Sequence, residues 1–209
     1  MSRYTRIAKR GVRGVPKQVD HAARRAEIAH AALRLGAREG LAGVSIGRVA
    51  QEAGVSKGLV QHYFPAKADL LRASAYLLRQ EIERHVRAAL LDAAGPADTL
   101  RRTLLAVVEL GARAPVLLLA GHAFLATAVA DPDVRELYRA GGDTVHREIA
   151  ALVAATASEP GVEAGAEAHV LLGLARGLAD GVLIGELDVA QAASVLDHQL
   201  RRIGLPADL

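Results

Sequence analysis

The chain has 209 residues, a formal net charge of +3 and no cysteine, and 51% of its residues are hydrophobic although only 3% are aromatic. This length suffices for one or two domains with a buried core, and a composition rich in alanine and leucine favours helices over sheets. The lack of cysteine excludes disulfide frameworks and thiolate metal sites, and it suits a reducing cytoplasm.

Basic residues are concentrated in the N-terminal part of the chain. Residues 1–90 contain 17 lysines and arginines against 7 acidic residues, whereas residues 91–209 contain 9 against 16. A basic half suits a polyanionic partner such as DNA, although a charge block by itself also fits a solvated face. The longest uncharged stretch, 114–130, is shorter than a membrane-spanning helix, and no apolar run follows the basic N-terminus. Neither a membrane partner nor a signal peptide is therefore expected.

The chain begins with a segment, 1–17, that is predicted to be a flexible basic arm. It contains no acidic residue, and Gly11, Gly14 and Pro16 disfavour a helix. The basic residues before this proline are Arg3, Arg6, Lys9, Arg10 and Arg13. Such an arm could follow DNA phosphates or enter a minor groove, or it could be a plain disordered tail.

A tight two-helix corner is predicted after a first helix over 18–39. Ser45 and Ser56 are good N-caps for two short helices. Gly54 is a natural stop for the first of them, and Pro65 ends the second. A corner this tight is the helix-turn-helix, whose second helix fits the major groove of DNA.

The ordered pattern GxxxxSIxxVAxxAGVSKGLVxHYFxxKxxLL lies within residues 28–71. It closely resembles the DNA-binding domain of TetR-type transcriptional regulators. Further along, HAFLATAVADPDVRELY and GLADGVLIGE look like the branch that contains the choline-responsive repressors of betaine synthesis. The resemblance implies an all-α fold of about nine helices. A three-helix DNA-binding domain with the helix-turn-helix would occupy 18–65, and a helical effector-binding and dimerisation domain would occupy 66–209.

One face of the second corner helix is predicted to read DNA bases. Val55, Val60 and Phe64 are the predicted core anchors, which leaves the opposite face exposed. The resemblance implies that this face enters the major groove. Gln61 replaces the tyrosine that most relatives have there, and it could contact adenine through two hydrogen bonds. Lys57 could read guanine or contact a phosphate.

A second set of contacts is expected with the DNA backbone. The free N–H groups of the helix that begins after Ser45 suit a phosphate. Lys67 stands where the family has a lysine that binds the DNA backbone, and Arg48 and Tyr63 are further candidates. Tyr63 could instead be a packed surface aromatic, and His62 a solvent-facing histidine. The predicted DNA-binding residues are Ser45, Ile46, Arg48, Ser56, Lys57, Gly58, Leu59, Gln61, His62, Tyr63 and Lys67.

Four glycines recur at every fourth position of a helix predicted over 163–186. They would cost ~3–4 kcal/mol of helix propensity relative to alanine, and close approach of another helix would offset this cost. The resemblance implies a four-helix dimer interface built from the last two helices of each subunit. The glycines could instead pack inside one subunit or line an effector cavity. The predicted interface residues are Gly173, Gly177, Gly181, Gly185, Leu196 and Leu200.

The remaining helices of the C-terminal region are predicted to surround a largely apolar effector. Their predicted ranges are 66–91, 97–112, 116–130, 132–157 and 189–203. The predicted effector-binding residues are Leu104, Val108, Leu119, His122, Phe124, Thr127, His146 and Arg176. A choline-like ligand needs an aromatic cage around its quaternary nitrogen. Beyond the corner the chain has only Tyr76, Phe124 and Tyr138 as aromatic residues, so choline is not expected to bind.

The pattern predicts a cytoplasmic, homodimeric transcriptional repressor that a small effector releases from a palindromic operator. No zinc-protease, dinucleotide-binding, P-loop or serine-hydrolase motif is present, and His122, His146 and His169 are too scattered to predict a metal site. The prediction is therefore that the chain is not an enzyme and has no cofactor or metal. The alternatives are an architectural DNA-binding protein without an effector, or an all-α enzyme.

Overall fold

The computed structural model describes residues 21–205, and within this range the chain forms nine α-helices and one short 3₁₀ helix. The predicted basic arm and the predicted first residues of helix 1 lie outside the described residues. The helices are α1 His21–Glu39, the 3₁₀ helix Leu41–Gly43, α2 Ile46–Glu52, α3 Lys57–Tyr63, α4 Lys67–Ala89, α5 Pro96–Arg113, α6 Pro115–Ala128, α7 Pro132–Thr156, α8 Ala164–Leu183 and α9 Val189–Arg202. This architecture confirms the predicted all-α fold.

Local capping explains where the short corner helices begin. The hydroxyl oxygen of Ser45 accepts a hydrogen bond from the backbone N–H of Arg48 at 3.3 Å, and that of Ser56 accepts one from Leu59 at 3.1 Å. Gly54, between the two helices, has a φ of 67°, a left-handed conformation that glycine adopts without strain. The chain can therefore turn sharply between α2 and α3.

The buried side chains form two separate clusters. The N-terminal core is built from α1, the 3₁₀ helix, α2, α3 and α4, together with α6 and the first residues of α7. The C-terminal core is built from α5, α8, α9 and the second part of α7. α6 follows α5 in the chain, yet Ala120, Phe124 and Ala128 pack into the N-terminal core. α6 therefore lies in the predicted effector-binding region of the sequence but packs with the helix-turn-helix.

α7 contributes to both cores. Val134 is buried in the N-terminal core, whereas Ile149 and Val153 are buried in the C-terminal core. Gly141 and Gly142 lie between these two parts. Among the described helices, α7 is the one whose side chains belong to both clusters, so it spans the boundary between them.

α5 and α8 approach each other closely through Gly111. A Cβ atom on this residue would lie 2.3 Å from the carbonyl oxygen of Ala179 and 3.0 Å from the backbone nitrogen of Leu183. Only a residue without a side chain fits this contact. Nearer the start of α5, Arg101 donates hydrogen bonds of 2.6 and 2.8 Å to the carboxylate of Asp197 on α9.

The apolar stretch in the middle of the chain forms α6, which buries Ala120, Ala123, Phe124 and Ala128 but leaves Val116, Leu119 and Leu125 exposed. Within residues 21–205, no single helix is both long and apolar enough to cross a membrane. α5 and α6 meet that requirement only when they are taken together, and the chain bends by 100° between them.

Candidate nucleic-acid interface

The helix-turn-helix presents one face of α3 to solvent. Val60 and Phe64 have an exposed fraction of 0% and fix the inner face of this helix in the N-terminal core. The backbone N–H of Val55 donates to the carbonyl of Ala50 at 2.9 Å and closes the turn. On the outer face the predicted base-reading residues Lys57, Gly58, Gln61 and His62 are all exposed, with Leu59 and Tyr63 half-buried beside them.

Gly58 lies on this outer face, and none of the described residues packs closely against it. A Cβ atom there would have only the Ser56 hydroxyl oxygen near it, at 4.0 Å. Glycine within a helix costs about 1 kcal/mol relative to alanine. The fold itself does not require glycine at this position, whereas close approach of an external backbone would.

Two of the predicted phosphate-binding cations are engaged within the domain. Arg48 forms an ion pair of 2.5 Å with Glu39 and donates to the carbonyl of Gly43 at 3.2 Å. Lys67 donates to the carbonyl of Leu41 at 3.1 Å. Because the Leu41 carbonyl is neutral, this contact does not balance the positive charge of Lys67, and two N–H donors of its ammonium group remain for other partners. The charge of Arg48 is already balanced by a carboxylate.

A carboxylate at the end of α2 joins this helix to α1. Glu52 accepts hydrogen bonds from Arg38 at 2.6 Å and from Arg34 at 3.0 Å. Both bonds lower the pKa of Glu52, from 4.5 to about 2, and the bond from Arg38 has the larger effect. The clamp was not predicted. The signal available in the sequence was the spacing of the two arginines, which places both on one face of helix 1.

Two residues of α1 contact the last residue of α3. Arg25 donates a hydrogen bond of 2.9 Å to the backbone carbonyl of Tyr63, and its guanidinium carbon lies 4.3 Å from the centre of the Phe64 ring. The Nδ1 atom of His21 lies 2.8 Å from the Tyr63 hydroxyl and shares a hydrogen bond with it. These contacts were also absent from the prediction, since nothing in the sequence shows which α1 residues face α3.

Comparison with known proteins supports this reading of the corner. The family model of the bacterial regulatory proteins of the tetR family matches residues 28–74, and that of the C-terminal region of BetI-type transcriptional repressors matches residues 96–205. The chain belongs to the TetR family, and its C-terminal region is of the BetI type. The matched families and relatives are transcriptional regulators, not enzymes.

Relatives and solved structures resemble this TetR-family chain over different lengths. The regulator BetI of Burkholderia mallei is 32% identical over 147 residues, which are 68% of this chain and 73% of that relative. The regulator PksA of Bacillus subtilis is 36% identical over 73 residues, and the match spans only 36% of its length. A regulator from Saccharomonospora viridis, solved in complex with choline, shares the fold with a TM-score of 0.70 and 24% identity. That match covers 86% of this chain and 96% of the other.

The apolar residues predicted to bind an effector are spread over the TetR-family fold. Leu104 and Val108 are fully buried in the C-terminal core, whereas Phe124 is buried in the N-terminal core. Leu119 is 38% exposed on α6. The structure does not bring these side chains together around one cavity.

The polar residues predicted to orient an effector have partners of their own or face solvent. His122 on α6 lies 3.0 Å from the Asp180 carboxylate on α8, and Thr127 donates to the carbonyl of Ala123 at 2.9 Å. Arg176 is exposed. The ring of His146 stacks on that of His169 at 3.8 Å, a contact that the sequence did not reveal. His146 also donates to the Gly165 carbonyl at 2.9 Å.

Residues 21–205 line two open clefts of appreciable volume, and none of the predicted effector-binding residues lines either of these two. One, of about 320 Å³, lies between the end of α4 and α5 and is lined by Arg101, Arg102 and Glu109 among others. The other, of about 610 Å³, lies between α1 and α4 and includes Tyr63 and Tyr76. Both clefts are open to solvent rather than enclosed.

The predicted glycine stripe is divided by the structure. Gly173 and Gly177 are exposed, with no atom within 4 Å of where a Cβ would lie. Gly181 is buried against Leu187. The predicted extent of the helix was wrong, because α8 ends at Leu183 and Gly185 forms the turn after it with a φ of 76°.

The two predicted leucines of the dimer interface are already buried within the subunit. Leu196 is 1% exposed and Leu200 is 2% exposed, and both belong to the C-terminal core. They therefore pack inside the subunit and are not available to contact a partner. The exposed side of α8 and α9 carries different residues, including Val170, Ile184 and Val195, which are 50%, 75% and 42% exposed.

Proposed function

We propose that this chain is a DNA-binding transcriptional repressor that acts in the cytoplasm as a homodimer on a near-palindromic operator. The observation that carries the proposal is the outer face of α3, where Lys57, Gly58, Gln61 and His62 are exposed on a helix whose inner face is fully buried. A rigid short helix with polar side chains and a glycine on its free face suits the major groove.

Base and backbone contacts have separate roles in this proposal. Gln61 reads adenine, Lys57 reads guanine or contacts a phosphate, and the methyl groups of Leu59 contact a thymine methyl. Lys67 and the N-terminus of α2 at Ser45 contact phosphates and set the register on the duplex. Arg48 makes a weaker contribution than Lys67, because its charge is paired with Glu39.

The exposed side of α8 supports dimerisation. Gly173 and Gly177 leave space on the helix surface that none of the described residues fills, and the exposed Val170 and Ile184 lie on the same helical face by their spacing. A partner helix could therefore approach the α8 backbone closely. A two-fold dimer would place two α3 helices on successive major grooves, and its operator would be a near palindrome.

Release by a small, largely apolar effector is the second part of the proposal. It rests on family resemblance and on the position of α6. This helix packs against the helix-turn-helix core, and its His122 Nε2 atom lies 3.0 Å from the carboxylate of Asp180 on α8. A ligand that separates these helices would change the spacing of the two α3 helices. The second candidate function is that of a DNA-binding protein without an effector. The observation that favours it is the dispersal of the predicted effector-binding residues over both cores.

Salt titration of DNA binding tests the proposed function. The wild-type protein is expected to select a near-palindromic duplex from a randomised pool and to lose affinity steeply as salt rises. Lys67→Ala removes one phosphate contact from each subunit of the dimer and should flatten the slope of log K against log salt by about 1.8, twice the value for a single contact. Arg139→Ala, on the exposed surface of α7, is the matched control and should leave the slope unchanged. Failure to select any duplex would refute the proposal.

Choline is not the expected effector, although the Saccharomonospora regulator binds it. Phe124 is 2% exposed in the N-terminal core, and Tyr138 packs partly against that core. Tyr76 is exposed, and the guanidinium of Arg79 already lies 5.4 Å from its ring centre. Calorimetry should show no choline binding, and choline should not release the protein from its selected duplex. Micromolar binding would overturn this expectation.

A further inference from the structure

Tyr63, the last residue of α3, is held from two sides by the first turns of α1. Arg25 binds its backbone carbonyl at 2.9 Å, and His21 binds its hydroxyl at 2.8 Å. Arg25 and His21 are four residues apart, so they lie on the same face of α1. One short segment of α1 therefore fixes both the main chain and the side chain at the end of α3.

The Arg25 contact satisfies a physical need of a very short helix. α3 has seven residues, and the last carbonyls of a helix lack partners within it. A guanidinium at this end supplies a donor and a positive charge that complements the helix dipole. The same guanidinium lies over the Phe64 ring at 4.3 Å. Because it is planar, it can stack on the ring and donate to the carbonyl at the same time.

The His21 contact does not depend on one protonation state. A neutral imidazole can accept a hydrogen bond from the Tyr63 hydroxyl at Nδ1, and a protonated imidazole can donate a hydrogen bond to the hydroxyl oxygen instead. Either arrangement keeps the 2.8 Å hydrogen bond.

We infer that Arg25, assisted by His21, is a positioning residue that sets the orientation of α3 and so determines how well Gln61 and Lys57 fit the bases. The inference rests on the proposed function. Although the Arg25 side chain is exposed, its guanidinium is bound to the carbonyl end of α3 and lies over the Phe64 ring that anchors this helix, so its role is to hold α3. If Arg25 bound a DNA phosphate instead, the Tyr63 carbonyl and the Phe64 ring would lose the guanidinium or would have to share it with the phosphate.

Arg24 offers a matched control on the same helical turn. Its guanidinium forms an ion pair of 2.6 Å with Glu27 on the exposed side of α1. Arg24→Ala and Arg25→Ala remove the same charge from adjacent positions, but only the second removes the contacts with Tyr63 and Phe64. A difference between the two variants therefore reports the contacts and not the charge.

The experiment measures affinity for two duplexes of equal length: one selected by the wild-type protein from a randomised pool, and a scrambled version of it. Arg25→Ala should weaken binding to the selected duplex roughly tenfold, the expected effect of losing a charged hydrogen bond. Its affinity for the scrambled duplex and its salt slope should match those of Arg24→Ala. Amide hydrogen exchange should become faster in α3 and stay unchanged in α9.

Arg25→Lys keeps the inference testable if the alanine variant does not fold. Lysine can donate to the Tyr63 carbonyl but cannot stack its ammonium as a plane on Phe64, so it should restore part of the lost discrimination. His21→Ala should give a smaller loss of the same kind.

Three outcomes would overturn the inference. An equal loss on both duplexes with a flatter salt slope would make Arg25 a phosphate ligand. Unchanged discrimination in both Arg25 variants would show that α3 holds its orientation without this residue. Unchanged hydrogen exchange in α3 would show the same. If the wild-type protein selects no duplex at all, the proposed function itself has failed, which is a separate result.

Discussion

In the N-terminal region the short helices α2 and α3 are tied to α1 by polar side chains, whereas α5 and α8 of the C-terminal core meet through close backbone packing. α2 and α3 have seven residues each, which is too short for a helix to persist alone in water. Glu52 ties α2 to α1, and Arg25 ties α3 to α1. In the C-terminal core, α5 and α8 have 18 and 20 residues and touch at Gly111.

This difference follows from what each region leaves exposed. A helix that must keep one face free for DNA can bury only its opposite face, so side chains from a neighbouring helix have to fix its orientation. α5 and α8 instead pack along their lengths in one apolar cluster. Shape complementarity is then enough to hold them. Substitutions in the two regions should therefore act on different properties, orientation in the first and stability in the second.

Gly111→Ala should have the largest effect on stability. The new Cβ would lie 2.3 Å from the Ala179 carbonyl oxygen, a backbone atom that cannot rotate away. We expect a loss of about 3 kcal/mol in the free energy of unfolding, measured by urea titration with circular dichroism. Gly121→Ala on α6 is the control, because no atom lies within 4 Å of its Cβ position. A fully stable Gly111→Ala protein would show that α5 and α8 separate easily.

Gly177→Leu should break dimers while leaving the subunit folded. The residue is exposed and nothing within 4 Å limits a side chain there, so the subunit can accept leucine. A partner helix packed closely against the α8 backbone could not accommodate that leucine side chain. We expect the dimer dissociation constant to rise roughly 30-fold, a loss of about 2 kcal/mol. Sedimentation velocity would measure it, with Ala140→Leu on exposed α7 as the control. An unchanged dimer would place the interface elsewhere.

Gln61→Ala should relax discrimination at one base position in each half-site of the operator. The side chain is exposed on α3 and can make two hydrogen bonds to adenine. We expect a loss of about 1.5 kcal/mol against the preferred sequence, measured with duplexes that differ at single positions. A loss that is uniform over all base changes would show that Gln61 acts on the DNA backbone or on the fold.

Glu52→Gln should give the smallest effect, and one that depends on pH. The pKa of this carboxyl is about 2 in the folded protein and 4.5 when unperturbed, so its contribution is complete above pH 4.5 and is lost as the pH falls towards 2. The variant should lose about 1 kcal/mol at neutral pH, or about 3 °C in Tm. Wild type and variant should converge between pH 5 and 2. Glu148→Gln, at an exposed position of α7, is the control for the substitution itself.

The predicted corner agrees closely with the structure because its signals act over a few residues. Ser45 and Ser56 cap the helices that follow them, and Gly54 adopts the left-handed conformation that a turn needs. The glycine stripe on α8 was predicted less well. Periodicity placed its four members on one helix face, but periodicity does not show where a helix ends. Gly185 is outside the helix, and Gly181 packs against its own subunit.

The sequence by itself determined the all-α class, the bounds of most helices to within a few residues, the helix-turn-helix and the exposed face of α3. Caps, turns and apolar periodicity are local properties, and the chain carries them wherever it folds. Only the tertiary structure decided that Gly111 touches α8, that Arg25 holds α3, and that α6 joins the N-terminal core. Each of these depends on which distant segments meet, and a single sequence does not record the distance between segments.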